Sequence, residues 1–344
     1  MARILLTGGA GFIGSHTALV LLQAGHQLVV LDDFRNSSPE ALKRVELLSA
    51  KQIQLVAGNL NDSACLERVF QAGPYGIGGA FDAVIHFAGL KAVAESVHHP
   101  LPYWQVNVEG TRMLLTAMAA AGCFCLVFSS SATLYGIPTQ VPIPESAPVQ
   151  PINPYGHSKA AAEQLLADLA ASTSGWRIAR LRYFNPVGAH PSGQIGEDPV
   201  GIPNNLFPFV SQVAVGRRPE LQIFGNDWPT SDGTCIRDYI HVMDLAEGHA
   251  AALEVLLAEA PQLLTLNLGS GEGHSVLQVL KGFEQACGRE LPYRIVDRRP
   301  GDAAITVADP SLAFTRLGWR TKRNLAQICR DGWAWQAANP HGYP

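Results

Sequence analysis

The sequence predicts an α/β protein with a doubly wound, Rossmann-like parallel sheet, followed by a smaller C-terminal α/β domain. Three observations support this fold class. Short, nearly continuous apolar runs alternate with segments long enough for helices through the first half of the chain, as in parallel sheets that helices cover on both faces. A glycine-rich stretch follows the first run, which is typical of the turn into a first helix. The 344 residues are enough for two domains.

Six apolar runs in the first half are predicted to be strands. They are Arg3–Thr7, Gln27–Asp32, Ile53–Ala57, Ala83–Phe87, Phe124–Ser130 and Arg177–Tyr183. The segments between them have room for helices, which gives a βαβ order with right-handed connections. Ligands of such sheets bind beyond the carboxyl ends of the strands. The residues directly after each run are therefore the first candidates for a functional site.

The character of the sequence changes after about residue 184. Residues 185–208 contain five prolines and four glycines without clear periodicity. An irregular segment of this length is usually functional or disordered, and we expect it to lie over a ligand. Helices are predicted near residues 206–216, 244–258 and 274–287. We therefore predict domains at 1–183 and 184–344, with some later segments crossing back to the first domain.

Composition and charge exclude several classes of protein. The apolar share is 47%, the charged share is 16% and the net charge is −4, so no basic excess points to nucleic acid or a membrane surface. Six cysteines are scattered without a CxxC pair, which favours a reducing compartment over a disulfide framework. No signal peptide is evident, the apolar runs are too short to span a bilayer, and no metal-binding pattern is evident. We expect a soluble cytoplasmic protein.

A glycine-rich turn predicts a dinucleotide site. Gly8, Gly11 and Gly14 lie around Phe12 and Ile13 in a GxxGxxG spacing that ends the first strand and opens a helix. Glycine lets the backbone approach a pyrophosphate, and the helix N-terminus supplies N–H donors. Asp32 ends the second strand, where an acid hydrogen-bonds the adenosine ribose and repels a 2′-phosphate. The pattern therefore favours NAD over NADP.

Residues after the third and fourth strands are further candidates for this site. They are Asn59, Leu60, Phe87, Ala88, Gly89 and Lys91. Asn59 and Leu60 are expected at the edge of the adenine, and the small residues allow close passage of the cofactor. Lys91 is either a ligand of a phosphate or ribose, or a solvated surface lysine.

Tyr155 and Lys159 are four residues apart on a predicted helix, so their side chains share one face. A fixed cation beside a phenol lowers the tyrosine pKa, which makes the phenol a usable general base. Taken alone, such a pair is more often an ordinary solvated face. Ser131, at the end of the fifth strand, adds a hydroxyl that could bridge a substrate oxygen and Tyr155.

Together these motifs resemble the extended short-chain dehydrogenase/reductase family, and within it the enzymes that epimerise UDP-hexoses at C4. The resemblance covers nearly the full length of the chain. It rests on Thr7–Thr17, His86–Val93, Phe128–Gly136, Pro154–Lys159, Arg182–Ser192, Gly201–Leu206, Val213–Arg218, Ile223–Asp227, Arg237–Leu245 and His341–Pro344. It implies interconversion of UDP-glucose and UDP-galactose through a transient 4-keto sugar, with tightly bound NAD, in a homodimer formed through helices of the nucleotide domain.

The resemblance also implies roles for individual residues. Tyr155 would be the catalytic base and acid, Lys159 would lower its pKa and bind the nicotinamide ribose, and Ser131 would orient the proton of the sugar 4-hydroxyl. Asn107 would support the active site beside the cofactor, or serve as a structural helix cap or bend. Two further residues are expected at the cofactor, Asn36 and Phe184.

A second set of residues is implied for the UDP-sugar, which the domain 184–344 would bind. It comprises Asn185, Asn205, Leu206, Gln222, Phe224, Arg237, Arg299 and Asp302, together with Lys91, Ser131, Tyr155 and Thr306. Two arginines can fork onto pyrophosphate oxygens. The alternative is that Arg237 and Arg299 form surface ion pairs with Asp238 or Asp302.

Two positions depart from, or refine, the family pattern. Asn59 stands where many relatives carry aspartate, and an amide can still bind adenine. The position of Thr306 lines the sugar pocket in this family, where a small residue goes with accepting N-acetylated sugars. We therefore expect activity on the UDP-N-acetylhexosamines as well, unless a neighbouring side chain fills the space.

Two other functions are compatible with the fold. A sugar-nucleotide 4,6-dehydratase shares the tyrosine–lysine pair but needs an acid near the end of the fifth strand, where residues 131–133 are Ser-Ala-Thr. A non-enzymatic NAD sensor could keep the glycine turn and lose the base. Retention of Ser131, Tyr155 and Lys159 together argues against the sensor.

Overall fold

The protein is built around a large parallel sheet with a second α/β layer beyond its carboxyl edge. The computed structural model describes residues 1–71, 80–299 and 301–344. The strands are β1 (Arg3–Thr7), β2 (Gln27–Asp32), β3 (Gln54–Ala57), β4 (Ala83–His86), β5 (Cys125–Ser131), β6 (Arg177–Tyr183), β7 (Asn185–Val187), β8 (Leu221–Phe224), β9 (Ile236–His241), β10 (Gln262–Leu268), β11 (Gly273–Ser275), β12 (Tyr293–Val296) and β13 (Ile305–Thr306).

The helices fill the connections between these strands. They are α1 (Phe12–Gln23), α2 (Pro39–Ser49), α3 (Ser63–Phe70), α4 (Val93–His98), α5 (Pro100–Tyr103), α6 (Gly110–Ala120), α7 (Pro154–Ser172), α8 (Leu206–Ala214), α9 (Val242–Ala258), α10 (Val276–Cys287), α11 (Ser311–Leu317) and α12 (Leu325–Ala338). A π-helix spans Trp104–Glu109, and a 3₁₀ helix spans Ala132–Tyr135.

Seven strands form the large sheet in the order β10-β6-β5-β4-β1-β2-β3, and every pairing in it is parallel. Thr7 lies beside both Leu31 and His86, and Ser131 lies beside Tyr183. The carboxyl ends of these strands therefore meet at one edge. The strand order reverses between β1 and β4, which is where such sheets bind ligands.

The predicted doubly wound sheet is confirmed, and the six predicted strands lie within one residue of their expected bounds. The predicted helices near 206–216, 244–258 and 274–287 correspond to α8, α9 and α10. The seventh strand, β10, was not predicted as part of this sheet. It begins at residue 262 and pairs with β6, which begins at residue 177. Local sequence does not specify a pairing between segments so far apart in the chain.

Two apolar layers cover the large sheet. One face packs against α1, α2 and α9, with Leu19, Val45 and Leu253 fully buried. The other face packs against α3, α6 and α7, with Leu114 and Leu166 fully buried. Although α9 and β10 come from the second half of the chain, both belong to the layers of the large sheet. The boundary at residue 184 stays a prediction.

The remaining elements form a smaller layer beyond the carboxyl edge. Strands β11, β9 and β13 form a sheet with β7 paired to β9, and β12 pairs with β8. A core of apolar residues from α8, α10 and α12 covers them, with Phe283 and Ile328 at its centre. No helix in the described part of the chain is long and apolar enough to cross a membrane.

Candidate active site

A cleft of about 660 Å³ lies between the carboxyl edge of the large sheet and the smaller layer. Most of the predicted site residues line it: Gly8, Gly11, Phe12, Ile13, Gly14, Asp32, Asn36, Asn59, Leu60, Phe87, Ala88, Gly89, Lys91, Ser131, Tyr155, Lys159, Phe184, Asn185, Asn205, Arg237, Arg299, Asp302 and Thr306. Asn107, Leu206, Gln222 and Phe224 do not line it. One cavity therefore joins the two predicted sites.

The glycine turn forms one end of this cleft. Gly8 has a φ of +69°, and a Cβ there would lie 2.5 Å from the backbone nitrogen of Ala88. A Cβ on Gly14 would lie 2.4 Å from the carbonyl oxygen of Gly8. Both positions need glycine, and α1 begins directly beyond with its N-terminal N–H groups at the cleft. This cradle fits a pyrophosphate group.

Asp32 lies at the end of β2, beside the glycine turn, and is almost fully buried. Its carboxylate accepts hydrogen bonds from the backbone nitrogens of Ala10 and Phe34 at 2.9 Å and from the Ser37 hydroxyl at 2.8 Å. These donors fix the carboxylate at the cleft wall. A hydrogen bond from Asp32 to a ribose stays a prediction.

Asp33 also lines the cleft and was not predicted as a site residue. Its carboxylate accepts a hydrogen bond from the Asn59 side chain at 3.1 Å. The position predicted for Asn59, at the edge of the adenine, is therefore shared with the carboxylate of Asp33, which directly follows the neighbouring strand β2. Two consecutive aspartates at the end of β2 were visible in the sequence, but the spacing rule singled out only the first.

Asn107 lies behind the cleft wall, in the π-helix, and is buried. Its side chain accepts a hydrogen bond from the Leu90 nitrogen at 2.8 Å and donates to the Leu90 carbonyl and the Ser158 hydroxyl, both at 3.0 Å. It thus ties the loop after β4 to α7. This placement favours the structural alternative over a direct contact with a cofactor.

Tyr155 lies in the first turn of α7, which begins at Pro154 and is capped by Asn153. The Asn153 side chain accepts a hydrogen bond from the Gly156 nitrogen at 2.8 Å, and proline suits the first helical position. Ser131 at the end of β5 and Thr133 two residues later hydrogen-bond each other, and both hydrogen-bond the Tyr155 phenol. Three hydroxyl groups therefore meet in the cleft. Thr133 was not predicted as a site residue, although it lies in the quoted motif.

The predicted lowering of the Tyr155 pKa is wrong for this structure. Burial raises the pKa of the phenol, and the groups that oppose this are Ser131, Lys91 and Thr133. Lys159 instead donates a hydrogen bond to the Ser129 carbonyl at 2.8 Å and lies 4.9 Å from the centre of the Phe128 ring. The nearby cation that favours the phenolate is therefore Lys91.

Burial also acts on Lys159, whose pKa it lowers to about 8, while the negative charge of Glu163 opposes the shift. The ammonium group is consequently charged at neutral pH and loses its charge in mildly alkaline solution. A buried lysine with a pKa close to neutral is typical of a functional site.

Lys91 forms an ion pair with Glu197 at 2.9 Å across the cleft, and its side chain is 48% exposed. Burial lowers the pKa of Lys91, but the pair with Glu197 and, to a smaller extent, the interaction with Tyr155 raise it above its usual value. These contacts favour a site lysine over a solvated surface lysine. Glu197 was not predicted, because nothing within the irregular segment 185–208 distinguishes it.

The opposite end of the cleft carries two arginines. Arg237 donates to the Ala303 carbonyl at 2.8 Å and lies 3.7 Å from Asp302. Arg299 lies 3.3 Å from Asp302 and 4.3 Å from the centre of the Phe224 ring. Asp302 therefore bridges both guanidinium groups, while both arginines still line the cleft. Arg237 and Arg299 thus form the ion pairs with Asp302 that the alternative predicted. Both are also in a position suited to binding an anion.

Of the other predicted substrate residues, Leu206, Gln222 and Phe224 do not line the cleft, whereas Thr306 does. Phe224 lies under Arg299 and supports it, Leu206 begins α8 next to Asn205, and Gln222 points outward from β8. Thr306 lies on β13 directly beside Arg237 of β9. Within the described residues, no three histidine, cysteine, aspartate or glutamate side chains are grouped as metal ligands.

Comparison with known proteins shows the family to which this chain belongs. The family model described as GDP-mannose 4,6 dehydratase matches residues 5–332. The chain is 53% identical over 340 residues to UDP-glucose 4-epimerase of Bacillus subtilis, covering 99% of this chain and 98% of the relative. It is 51% identical over 350 residues to UDP-glucose 4-epimerase of Mus musculus, covering 100% and 99%.

Two solved structures of similar proteins contain bound ligands. UDP-glucose-4-epimerase from Stenotrophomonas maltophila, with bound NAD and formylated UDP-arabinopyranose, has a TM-score of 0.94 at 47% identity and 98% coverage of each chain. UDP-glucose 4-epimerase from Bifidobacterium longum, in complex with NAD+ and UDP, has a TM-score of 0.94 at 46% identity, covering 99% of this chain and 100% of the other.

Proposed function

This chain belongs to the UDP-glucose 4-epimerase family, and we propose that it interconverts UDP-glucose and UDP-galactose through a transient 4-keto sugar with tightly bound NAD. The observation that carries this proposal is the meeting of three hydroxyl groups, from Ser131, Thr133 and Tyr155, in one cleft. That cleft has the glycine cradle at one end and Arg237 and Arg299 at the other. A UDP-hexose and a dinucleotide fit these two ends.

The arginine end suits the diphosphate of the substrate. Arg237 and Arg299 carry fixed positive charge, and planar guanidinium groups bind phosphate oxygens in pairs. Asp302 holds both guanidinium groups in place, so they are oriented before an anion arrives. Asn205 and Asn185 also line the cleft and supply amides for the remaining polar groups of the nucleotide. The UDP group is thereby anchored while the sugar is free to turn.

The hydroxyl cluster performs the proton transfer. Tyr155 takes the proton of the sugar 4-hydroxyl, with Ser131 and Thr133 orienting the two oxygens by their hydrogen bonds. Bound NAD supplies the acceptor and then the donor of the C4 hydride. Lys91 favours the phenolate through its charge, and the same phenol returns the proton when the hydride reaches the other face of the sugar. The protein contributes position and proton transfer.

The dehydratase alternative needs a protonated carboxyl group near the end of β5. Residues 131–133 line the cleft as Ser-Ala-Thr. Glu197, which also lines the cleft, is already engaged in an ion pair with Lys91. Both observations support epimerisation over elimination.

We further propose that the enzyme accepts UDP-N-acetylgalactosamine, because Thr306 is small and lies at the cleft beside Arg237. The protein as purified, without added NAD, is expected to epimerise both UDP-galactose and UDP-N-acetylgalactosamine. Thr306→Tyr fills the space and is expected to lower kcat/KM for the acetylated substrate roughly tenfold to a hundredfold, with less than threefold change for UDP-galactose. Chromatography of the products measures both rates.

Thr315→Tyr provides the matched control, because Thr315 lies on α11 away from this cleft; it is expected to leave both rates unchanged. Turnover of UDP-galactose alone by the unaltered protein would remove the proposal for the acetylated sugars and leave the reaction in place. Absence of product from either substrate, even with NAD supplied, would contradict the proposed function.

We also propose that the enzyme is a homodimer and that helices α4 to α6 of the larger layer carry its interface. Val97, Leu101 and Trp104 expose apolar side chains there, and Leu101 is 78% exposed. A second copy would cover this patch of exposed apolar side chains, since exposed apolar surface of this kind marks a protein contact.

Leu101→Asp is expected to shift the sedimentation coefficient from dimer to monomer, because a buried unpaired carboxylate at the interface disfavours association. Leu47→Asp on α2 is the control, as Leu47 is 76% exposed and lies outside the patch; it is expected to remain dimeric. A monomer in the unaltered protein, or a dimer unaffected by Leu101→Asp, would refute this interface.

A reducing compartment such as the cytoplasm is proposed for the enzyme. All six cysteines are free thiols, and all but Cys287 are buried. Burial raises the pKa of Cys125 and Cys329 to about 12, so both stay protonated and unreactive.

A further inference from the structure

A buried ion pair lies behind the end of β5, on the side away from the cleft. Arg182 of β6 donates to the Glu163 carboxylate of α7 at 3.0 Å and 2.7 Å, a two-point contact that fixes both groups. Arg180 lies 3.8 Å from the same carboxylate. Neither Glu163 nor Arg182 lines the cleft, and both side chains are 5% exposed. The mechanism above uses neither of them.

The pair is nevertheless joined to the catalytic strand. The Ser130 hydroxyl donates a hydrogen bond to the Glu163 carboxylate at 2.5 Å. The two neighbours of Ser130 on β5 are also held by α7. The Ser129 carbonyl accepts a hydrogen bond from Lys159, and the Ser131 hydroxyl contacts Tyr155. Three consecutive residues of β5 are thus bound by three residues of one helix.

Arg182 connects this contact to the rest of the core. Its guanidinium donates to the Tyr135 hydroxyl at 3.0 Å and to the Glu145 carbonyl at 3.2 Å, and it lies 5.0 Å from the centre of the Tyr135 ring. The Tyr135 hydroxyl in turn donates to Asn267 of β10 at 2.6 Å. Glu163 is therefore held by a network that spans neighbouring strands, and buried networks with all groups satisfied are rigid.

We propose that Glu163, held by Arg182, is a positioning residue that fixes the end of β5 against α7, so that Ser131 meets Tyr155 and Lys159 stays a cation. The proposal rests on the proposed epimerase function. Because Ser130 and Ser131 point to opposite sides of the strand, anchoring Ser130 to Glu163 on one side sets where Ser131 lies on the other. A displacement of about 1 Å at a reacting group is enough to slow an enzyme severely.

The second effect of Glu163 is electrostatic. It lies one helical turn after Lys159, and its negative charge favours the lysine cation against burial.

Of the titratable groups on neighbouring strands, His86 of β4 interacts with Lys159, and burial lowers the pKa of His86 to about 3, so this histidine is neutral. Tyr183 of β6 faces Ser129, and burial holds its pKa far above the usual range. Arg182 is bound to Glu163 itself, and Tyr155 shares the helix. Glu163 is thus the anion that acts on Lys159.

The test compares Glu163→Gln and Ser130→Ala with the unaltered enzyme, with UDP-galactose as the substrate. Glu163→Gln is expected to lower kcat roughly tenfold to a hundredfold with KM nearly unchanged. It is also expected to move the alkaline limb of the kcat–pH profile to lower pH by roughly half a unit to one unit, because Lys159, whose ammonium group holds the Ser129 carbonyl of β5, loses the anion that holds its proton. Ser130→Ala removes only the hydroxyl link, and is expected to lower kcat roughly threefold to tenfold without moving that limb.

Asp244→Asn is the matched control, since Asp244 is a fully buried carboxylate paired with Arg323 far from the cleft. It is expected to lower the melting temperature while kcat and its pH profile stay unchanged. A Glu163→Gln variant that behaves like this control would overturn the proposal. Should Glu163→Gln fail to fold, as removal of one member of a buried pair can cause, Ser130→Ala decides: an unaltered kcat contradicts the proposal.

A crystal structure of Ser130→Ala separates this inference from the reaction itself. We expect the Ser131 hydroxyl to move about 1 Å from its place beside Tyr155, and an unmoved Ser131 would contradict the positioning role even in an enzyme with another activity. Failure of the unaltered protein to epimerise UDP-galactose would count against the proposed function alone.

Discussion

Replacing Tyr155 by phenylalanine is expected to lower kcat for UDP-galactose epimerisation roughly 10²- to 10⁴-fold while UDP still binds. The substitution removes one oxygen, which is the group that hydrogen-bonds Ser131 and Thr133 and that would take the sugar proton. Loss of a general acid–base group costs an enzyme about this much. The ring itself stays packed beside Tyr103, with ring centres 6.4 Å apart, so the cleft keeps its shape.

The measurement is kcat from the appearance of UDP-glucose, with UDP affinity from calorimetry. Tyr103→Phe is the matched control, because Tyr103 is a buried neighbour whose hydroxyl donates to the Ala92 carbonyl at 2.7 Å and has no part in the proposed mechanism. It is expected to keep its activity within about threefold. A Tyr155→Phe enzyme as fast as the unaltered one would show that another group moves the proton.

Replacing Gly14 by alanine is expected to abolish retention of NAD by the purified protein. The added Cβ would lie 2.4 Å from the Gly8 carbonyl oxygen and 2.7 Å from the Gly9 Cα, and both atoms belong to the backbone of the cradle. Because backbone cannot rotate away as a flexible side chain can, the turn must open by several tenths of an ångström or more. The N–H groups that would face the pyrophosphate then lose their alignment.

The amount of NAD released on denaturation, per mole of protein, measures this effect, and we expect it to fall more than tenfold. Gly110→Ala at the start of α6 is the control. A Cβ there meets nothing closer than 3.6 Å, and alanine favours a helix over glycine, so NAD content should be unchanged. Full retention of NAD by Gly14→Ala would mean that the glycine cradle is not the dinucleotide site.

The large sheet could be predicted because each of its first six strands is a buried apolar run that local sequence reveals. The seventh strand, β10, carries the same kind of pattern, with Leu264, Leu266 and Leu268 buried. Its place beside β6 depends on a contact across about eighty residues of chain. Pairing over such a distance is decided by packing of whole layers, which periodicity within a segment does not describe.

The candidate site could be predicted where strand ends converge, since Ser131 and Tyr155 follow from the carboxyl-edge rule and helical spacing. Glu197 was missed because it lies in the irregular segment 185–208, and Thr133 was missed because it lies in a short 3₁₀ helix beyond the end of β5. The direction of the Tyr155 pKa was also predicted wrongly. Charge alone suggested a lowered value, whereas burial of the phenol has the larger effect, and the degree of burial is known only from the folded chain.

In the proposed mechanism, the C4 hydrogen of the sugar leaves and returns as hydride while Tyr155 moves only the hydroxyl proton. The most direct test is incubation of the purified protein with UDP-galactose in heavy water, without added NAD, followed by NMR of the product. The proposed mechanism predicts UDP-glucose with protium at C4, because a returned hydride does not exchange with solvent. Deuterium at C4 would require removal of that hydrogen as a proton, and a 4-keto-6-deoxy product would require elimination; either result would contradict the proposed mechanism.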